Sequence, residues 1–113
     1  MTEFQIGPNK HRYIYTETEM WENDKKVYKC SRGLQENTDN RLWLYKKDSG
    51  KWMAVEAKEN CSDPVTNKKR KKAFKTLDQH DDITIPGMYK WQSFNPKTNS
   101  WQDCWWPFEH KPV

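Results

Sequence analysis

Along the chain, short stretches in which apolar and polar residues alternate are separated by clusters of Asn, Asp, Ser, Gly and Pro. No window sustains the i, i+3, i+4, i+7 spacing of an amphipathic helix. The pattern predicts an all-β chain, a small single-domain antiparallel barrel or sandwich of roughly six to eight strands. Arg12-Tyr13-Ile14-Tyr15-Thr16 reads as the first strand. In Lys25-Lys26-Val27-Tyr28-Lys29-Cys30 the alternation puts Val27 and Lys29 on one face and Tyr28 and Cys30 on the other, because successive Cβ atoms of a strand point to opposite sides. Glu22-Asn23-Asp24 is the turn between these strands, with Met20 and Trp21 on its leading side.

Two hairpins follow. Arg41-Leu42-Trp43-Leu44-Tyr45-Lys46 turns through Lys47-Asp48-Ser49-Gly50 and returns as Lys51-Trp52-Met53-Ala54-Val55-Glu56, with Gly50 free to take a positive φ. Met88 to Phe94 turns through Asn95-Pro96-Lys97-Thr98-Asn99 and returns as Ser100 to Trp105. Trp43 and Trp52 flank the first turn nine residues apart, and Trp91 and Trp101 flank the second ten apart. The matched spacing predicts that both hairpins deliver their indoles to one core.

Between the hairpins, Lys58 to Lys72 is too polar to bury and is expected to be an exposed polar and basic loop. Ala73-Phe74-Lys75-Thr76-Leu77 then reads as a short strand, and Asp78-Gln79-His80-Asp81-Asp82 as a polar turn ahead of Ile83-Thr84-Ile85-Pro86-Gly87. Trp105-Trp106-Pro107-Phe108 is apolar and proline-stopped, which predicts a cap on one end of a barrel or sandwich rather than a central strand.

Composition sharpens the question of the core. Ile, Leu, Val and Phe number four each, so they make up about 14% of 113 residues, below the roughly 20% at which disorder is expected. Seven Trp and five Tyr supply the missing area, since each large ring buries about 150–250 Å2. The length allows one domain, residues 1–113, with one modest core.

The formal net charge is +4, and Lys68-Lys69-Arg70-Lys71-Lys72 alone carries five of the positive charges; without that run the balance is −1. An electrostatic partner therefore meets one patch rather than a generally basic surface. Cys30, Cys61 and Cys104 are odd in number and contain no C-x-x-C pair, which argues against both a disulfide framework and a zinc site. The sequence lacks the charged and apolar regions of a signal peptide and any apolar run of the ~20 residues that span a bilayer. These features lead to the expectation of a cytoplasmic or nuclear chain without a membrane partner. Asn60-Cys61-Ser62 is a glycosylation sequon that matters only along a secretory route.

Taken in order, Tyr13 and Tyr15, the segment Trp21 to Tyr28, Leu42-Trp43-Leu44-Tyr45 with Gly50-Lys51-Trp52, and Pro86-Gly87-Met88-Tyr89-Lys90-Trp91 with Trp101 form an aromatic pattern over most of the chain. This pattern resembles a poorly characterised family of small aromatic-rich eukaryotic β domains, with Asp24 standing where the family commonly has Gly. The resemblance implies a β-rich module without an established enzymatic activity, and it assigns no binding residue. Phe94 to Asp103 also looks like the return strand of a WW domain, although Trp91 to Trp101 is too short for that module's three strands.

Catalysis requires a nucleophile with a base or a pair of acids with shifted pKa values. Cys104 and His110 are close in sequence, but nothing in Trp105-Trp106-Pro107 directs them together. Asp78, His80, Asp81 and Asp82 match no metal-ligand spacing, and the isolated glycines form no phosphate-binding loop. No catalytic residue, cofactor or metal is assigned. The candidate binding residues are the aromatics Trp105, Trp106 and Phe108, and the cations Lys68, Lys69, Arg70, Lys71 and Lys72. The expected function is a non-enzymatic binding module whose partner is a protein or an anionic polymer, glycan or nucleic acid. The alternative is a structural or assembly subunit that packs through its Trp-rich C-terminal edge.

Overall fold

The computed structural model describes residues 2–7, 12–33, 41–58 and 61–113, with backbone alone for 31–33. Asn60 of the sequon lies outside the described residues. The described residues form ten strands: β1 (Glu3–Gly7), β2 (Tyr13–Glu22), β3 (Lys25–Gly33), β4 (Leu42–Lys46), β5 (Trp52–Glu56), β6 (Lys71–Thr76), β7 (Gly87–Tyr89), β8 (Trp91–Asn95), β9 (Ser100–Asp103) and β10 (Phe108–Pro112). All pairings are antiparallel, in the order β7-β10-β1-β2-β3-β4-β5-β6-β8-β9.

The two ends of that order are joined by the chain itself. Lys90 alone separates β7 from β8, and on the returning side the Cys104 N–H donates to the Trp91 carbonyl at 2.9 Å. β7 with β8, and β9 with β10, are therefore successive parts of two interrupted strands, and the sheet curls round as a meander. The Trp105-Trp106-Pro107-Phe108 segment does not cap an end as expected: its indoles stand in water and Phe108 opens β10, which sits between β1 and β7 and brings the curl together. The reason is non-local: the β10 backbone finds its partners at Phe4 to Gly7, about a hundred positions earlier. The wall is incomplete at β9, whose only strand partner among the described residues is β8.

Local chemistry sets the first elements. Asn23 and Asp24 both take positive φ (51° and 63°), the two-residue turn whose twist suits a hairpin, so Asp24 fills a position that glycine would also fill. The first predicted hairpin forms with the register Leu42↔Glu56 to Lys46↔Trp52. In its turn Gly50 has φ 87°, and its N–H donates to the Lys47 carbonyl at 2.9 Å.

The alternation read from β3 is realised: Tyr28 and Cys30 face the interior and Val27 the outside. β4 and β5 are buried on both faces, so the four indoles do not share one core. Trp52 and Trp91 join the interior cluster with Phe4, Tyr28 and Leu44, whereas Trp43 lies in a second cluster on the outer surface with Tyr45, Met53 and Val55, and Trp101 packs at its margin. The cover on this outer cluster is the connection from β5 to β6. Pro64 is buried, and Cys61 and Val65 pack against the cluster, so the predicted polar loop is anchored by a few apolar side chains while most of its charges stay in water.

Residues 77–86 close one end of the curl. Ile83 is fully buried in the interior cluster, and the Trp52 Nε1–H donates to the His80 carbonyl at 2.8 Å. His80 N–H donates to the Gly50 carbonyl at 3.0 Å, the Gln79 amide to the Ser49 carbonyl at 2.7 Å, and Asp81 bridges Lys25 and Lys46 at 3.3 and 3.4 Å. The Asp78–Asp82 turn is therefore the outer half of a plug, held mainly by backbone carbonyls that sequence patterning does not display.

Candidate functional site

The basic run lies at the opposite end from this plug, where β5 ends and β6 begins. A series of turns presents it. Asp63 accepts from the Thr66 amide at 3.2 Å and the Thr66 hydroxyl at 2.5 Å, and these bonds, with a smaller contribution from the Arg70 charge, hold its carboxyl below the usual carboxylate range. The Lys69 amide donates to the Asn67 side chain at 2.8 Å, and the Arg70 amide to the Asn67 carbonyl at 3.1 Å. These bonds turn the chain so that Lys68 and Lys69 project into water. Arg70 bends back, its guanidinium 5.9 Å from the Tyr45 ring centre, and its Nη1 is buried with no hydrogen-bond partner among the described residues. Lys71 and Lys72 are not loop residues but the first two of β6.

Together these elements form a groove of about 530 Å3 lined by Arg41, Lys58, Lys68, Lys69 and Lys71, with Glu56 the one carboxylate in its walls among the described residues. Arg41 and Lys58 are additions that the run by itself does not reveal. They arrive because Arg41 precedes the strand paired with β5 and because the Ala57 amide donates to the Arg41 carbonyl at 2.8 Å, fixing the two chain ends side by side.

Positive charge continues along the outer surface of β6. Lys72 Nζ stands 5.3 Å from the Phe94 ring and Lys75 Nζ 4.5 Å from the Trp101 ring, while the two rings meet edge to face at 5.1 Å. Partial burial, then the charges of Lys47, Lys51 and Lys72, push the Lys75 ammonium below its ordinary pKa. Like charges are therefore crowded here, and an anion laid across them relieves the repulsion. Phe94 and Trp101 reach this face through the second hairpin, where they are direct cross-strand partners.

The C-terminal aromatics divide. The strand formed by β9 and β10 carries two more residues than its partner, the pairing moving from Gln92↔Asp103 to Tyr89↔Phe108. The excess bulges outward and takes both indoles with it: Trp105 is 95% and Trp106 60% exposed. Strict alternation would have hidden one of the pair; the bulge suspends it. Phe108 turns inward instead, stacking on Trp91 at 6.1 Å and meeting Phe74 edge to face at 6.1 Å. It lines an apolar cavity of about 250 Å3 inside the curl, together with Ile6, Tyr15, Leu42, Ala54 and Phe74. The eight predicted residues are thus not one site: four cations, Lys68, Lys69, Lys71 and Lys72, serve the basic surface, Arg70 packs beside it, and Phe108 belongs to the interior.

Cys104 and His110 do not pair. Burial, then the neighbouring Asp103 charge, pushes the Cys104 thiol up, and its hydrogen bond is with Ser93. His110 is fully buried between two fixed partners: Nε2 accepts from the Trp91 Nε1–H at 3.0 Å, and Nδ1 faces the Ile83 carbonyl at 2.9 Å. An indole N–H only donates and a carbonyl only accepts, so the ring is neutral with its proton on Nδ1. Among the described residues no three His, Cys, Asp or Glu side chains gather as a metal site requires, and no helix is long and apolar enough to cross a membrane. No family model, curated protein or solved structure matches the chain.

Proposed function

We infer that this chain is a non-enzymatic binding module that holds a phosphate- or sulfate-bearing polymer against its basic surface. The observation that carries this reading is the convergence of Arg41, Lys58, Lys68, Lys69 and Lys71 on one groove, continued by Lys72 and Lys75 above the Phe94 and Trp101 rings. Cations spaced along a strand suit a repeating anion better than a single one, and the half-buried rings offer edges for sugar or base contacts. The fixed neutral state of His110 and the raised Cys104 pKa support a module without a nucleophile and base. The cytoplasmic or nuclear placement and the kinship with small aromatic-rich domains belong to the same proposal.

The test is retention on immobilised heparin and on single-stranded RNA across a salt series, for the natural chain and for Lys68→Gln/Lys69→Gln/Lys71→Gln. Loss of three phosphate contacts lowers the slope of log affinity against log salt by about 2 on single-stranded RNA. Heparin and RNA separate the sulfate and phosphate sources. Retention and slope unchanged in the triple variant refute the reading.

A second reading, assembly through the Trp-rich C-terminal edge, is favoured by one observation: both indoles of the β9–β10 bulge lie open to water beside a strand edge without a partner among the described residues.

A further inference from the structure

The interior cavity has no part in that reading. Curled sheets of about eight strands enclose a space that side chains either fill or leave for one small ligand. Here the described residues leave it partly unfilled and open on one side. The vacant volume is about 250 Å3, its walls being Ile6, Tyr15, Leu42, Ala54, Phe74 and Trp91 among others. An apolar cavity of ~150 Å3 already stays dry and accepts a benzene. The small residue at the centre of one wall is Ala54, with Leu42 and Phe74 on the strands to either side. Empty apolar space forgoes dispersion contacts on every lining atom, so an apolar guest regains them without displacing a polar partner.

The charges at the rim select the guest further. Along β5, Trp52, Ala54 and Glu56 share the inward face, and Glu56 pairs with Leu42 on one side and Lys71 on the other. The strand positions just beyond the apolar lining thus carry Glu56 and Lys71, which both border the groove that Arg41, Lys58, Lys68 and Lys69 complete. Among the described residues that gives an apolar interior followed along the same strands by an excess of positive charge. The complement is a molecule with one apolar end and one anionic end.

We propose that the cavity binds a medium-chain monoanionic amphiphile, a carboxylate whose hydrocarbon chain enters between Ala54, Phe74 and Trp91 and whose head group meets Lys71 and its neighbours. Scaling from a six-carbon ring in ~150 Å3, the cavity takes a chain of about ten carbons. This site is distinct from the polymer surface although Lys71 borders both, and the variants below separate the two.

Decanoate, decanol and decylamine, each below its aggregation limit, are titrated into the full chain with Trp fluorescence and calorimetry as readouts. Decanoate binds about tenfold more tightly than decanol and decylamine binds weakest. Hexadecanoate gains little over decanoate, because a volume of about 250 Å3 holds only about ten carbons and the rest of the longer chain stays in water. Ala54→Leu, which fills the cavity, lowers decanoate affinity at least about tenfold while leaving heparin retention unchanged; Lys71→Glu removes the preference for decanoate over decanol. Should Ala54→Leu fail to fold, Ala54→Val carries the same comparison with a smaller expected loss. Failure of decanoate to bind the natural chain, equal binding of decanoate and decylamine, or a filled-cavity variant that binds as before each overturns the proposal.

Discussion

Acidification from pH 6.5 to about 4 removes a defined part of this protein's stability through one buried ring. Desolvation by burial, assisted by the nearby His80, lowers the His110 pKa from 6.5 to about 4, against the pull of the Ile83 carbonyl. The folded state therefore holds His110 neutral where the unfolded chain protonates it. Between those two values the unfolded chain binds more protons, so stability rises with pH across the window. It is fully present above pH 6.5, is lost progressively as pH falls, and its loss is complete below about 4. At about 1.4 kcal/mol per pK unit the full window is worth ~3 kcal/mol, a large share of the roughly 5–15 kcal/mol typical of a domain. Protonation of Nε2 sets its proton against the Trp91 Nε1–H at 3.0 Å, and the strained element is the 77–86 plug fastened by the Ile83 carbonyl on the other nitrogen.

The assay is urea unfolding followed by Trp fluorescence at half-unit pH steps, with His110→Gln as the matched variant. A glutamine amide donates and accepts like the neutral imidazole but does not titrate. The natural chain loses ~3 kcal/mol across the window, whereas the variant starts less stable and stays nearly level. His80, whose pKa is also lowered by burial and partly restored by Asp78, adds a smaller slope of the same sign, removed by His80→Asn. Asp63 and Asp81, both held below 3.8, contribute only as pH falls through the carboxylate range beneath this window. Equal slopes in the natural chain and His110→Gln refute the assignment, as does a flat profile in both.

Gly50→Ala costs about 1–2 kcal/mol in the same unfolding assay, because φ is 87° and the new Cβ lies 3.1 Å from Gln79 Cγ; a change under a few tenths shows that the turn relaxes. Light scattering over a concentration series tests assembly through the bulge: a dimer that Trp106→Ala abolishes supports it, and a strictly monomeric natural chain refutes it. Heparin binding raises the depressed Lys75 pKa toward its ordinary value, since the added anion offsets the Lys47, Lys51 and Lys72 charges, and an unmoved Lys75 titration excludes this residue from the polymer contact.

How far the chain's own pattern reaches is visible in the hairpins. Leu42 to Glu56 was legible in both strands and turn, because alternation, β-branched and aromatic residues and a positive-φ glycine agree within fifteen consecutive residues. The second hairpin was legible only around its turn: Gln92 to Asn95 pair with Ser100 to Asp103, one residue closer to the turn than its polar cluster indicated, and Met88 and Tyr89 leave the hairpin for β10. The basic run was plain as charge. Its partner Arg41 was not, since it reaches the groove through pairing between β4 and β5, and Lys58 showed only as the start of the same polar connection. Nor does periodicity announce that Trp43 faces a second apolar layer, because a strand buried on both faces shows hydrophobic residues at every position.

The sequence by itself determined an all-β chain with an aromatic core, the first two turns, the face assignments of β3, and a single concentration of positive charge. These follow from side-chain alternation and backbone preference over a few neighbouring residues. Only the tertiary structure decided that Phe108 to Pro112 lies between β1 and β7, that His110 is locked neutral between Trp91 and Ile83, that Trp105 and Trp106 emerge together at a bulge, and that the curl lines an apolar pocket. Each of these depends on contacts between positions far apart along the chain, where pairing register and packing, rather than any local preference, set which atoms meet.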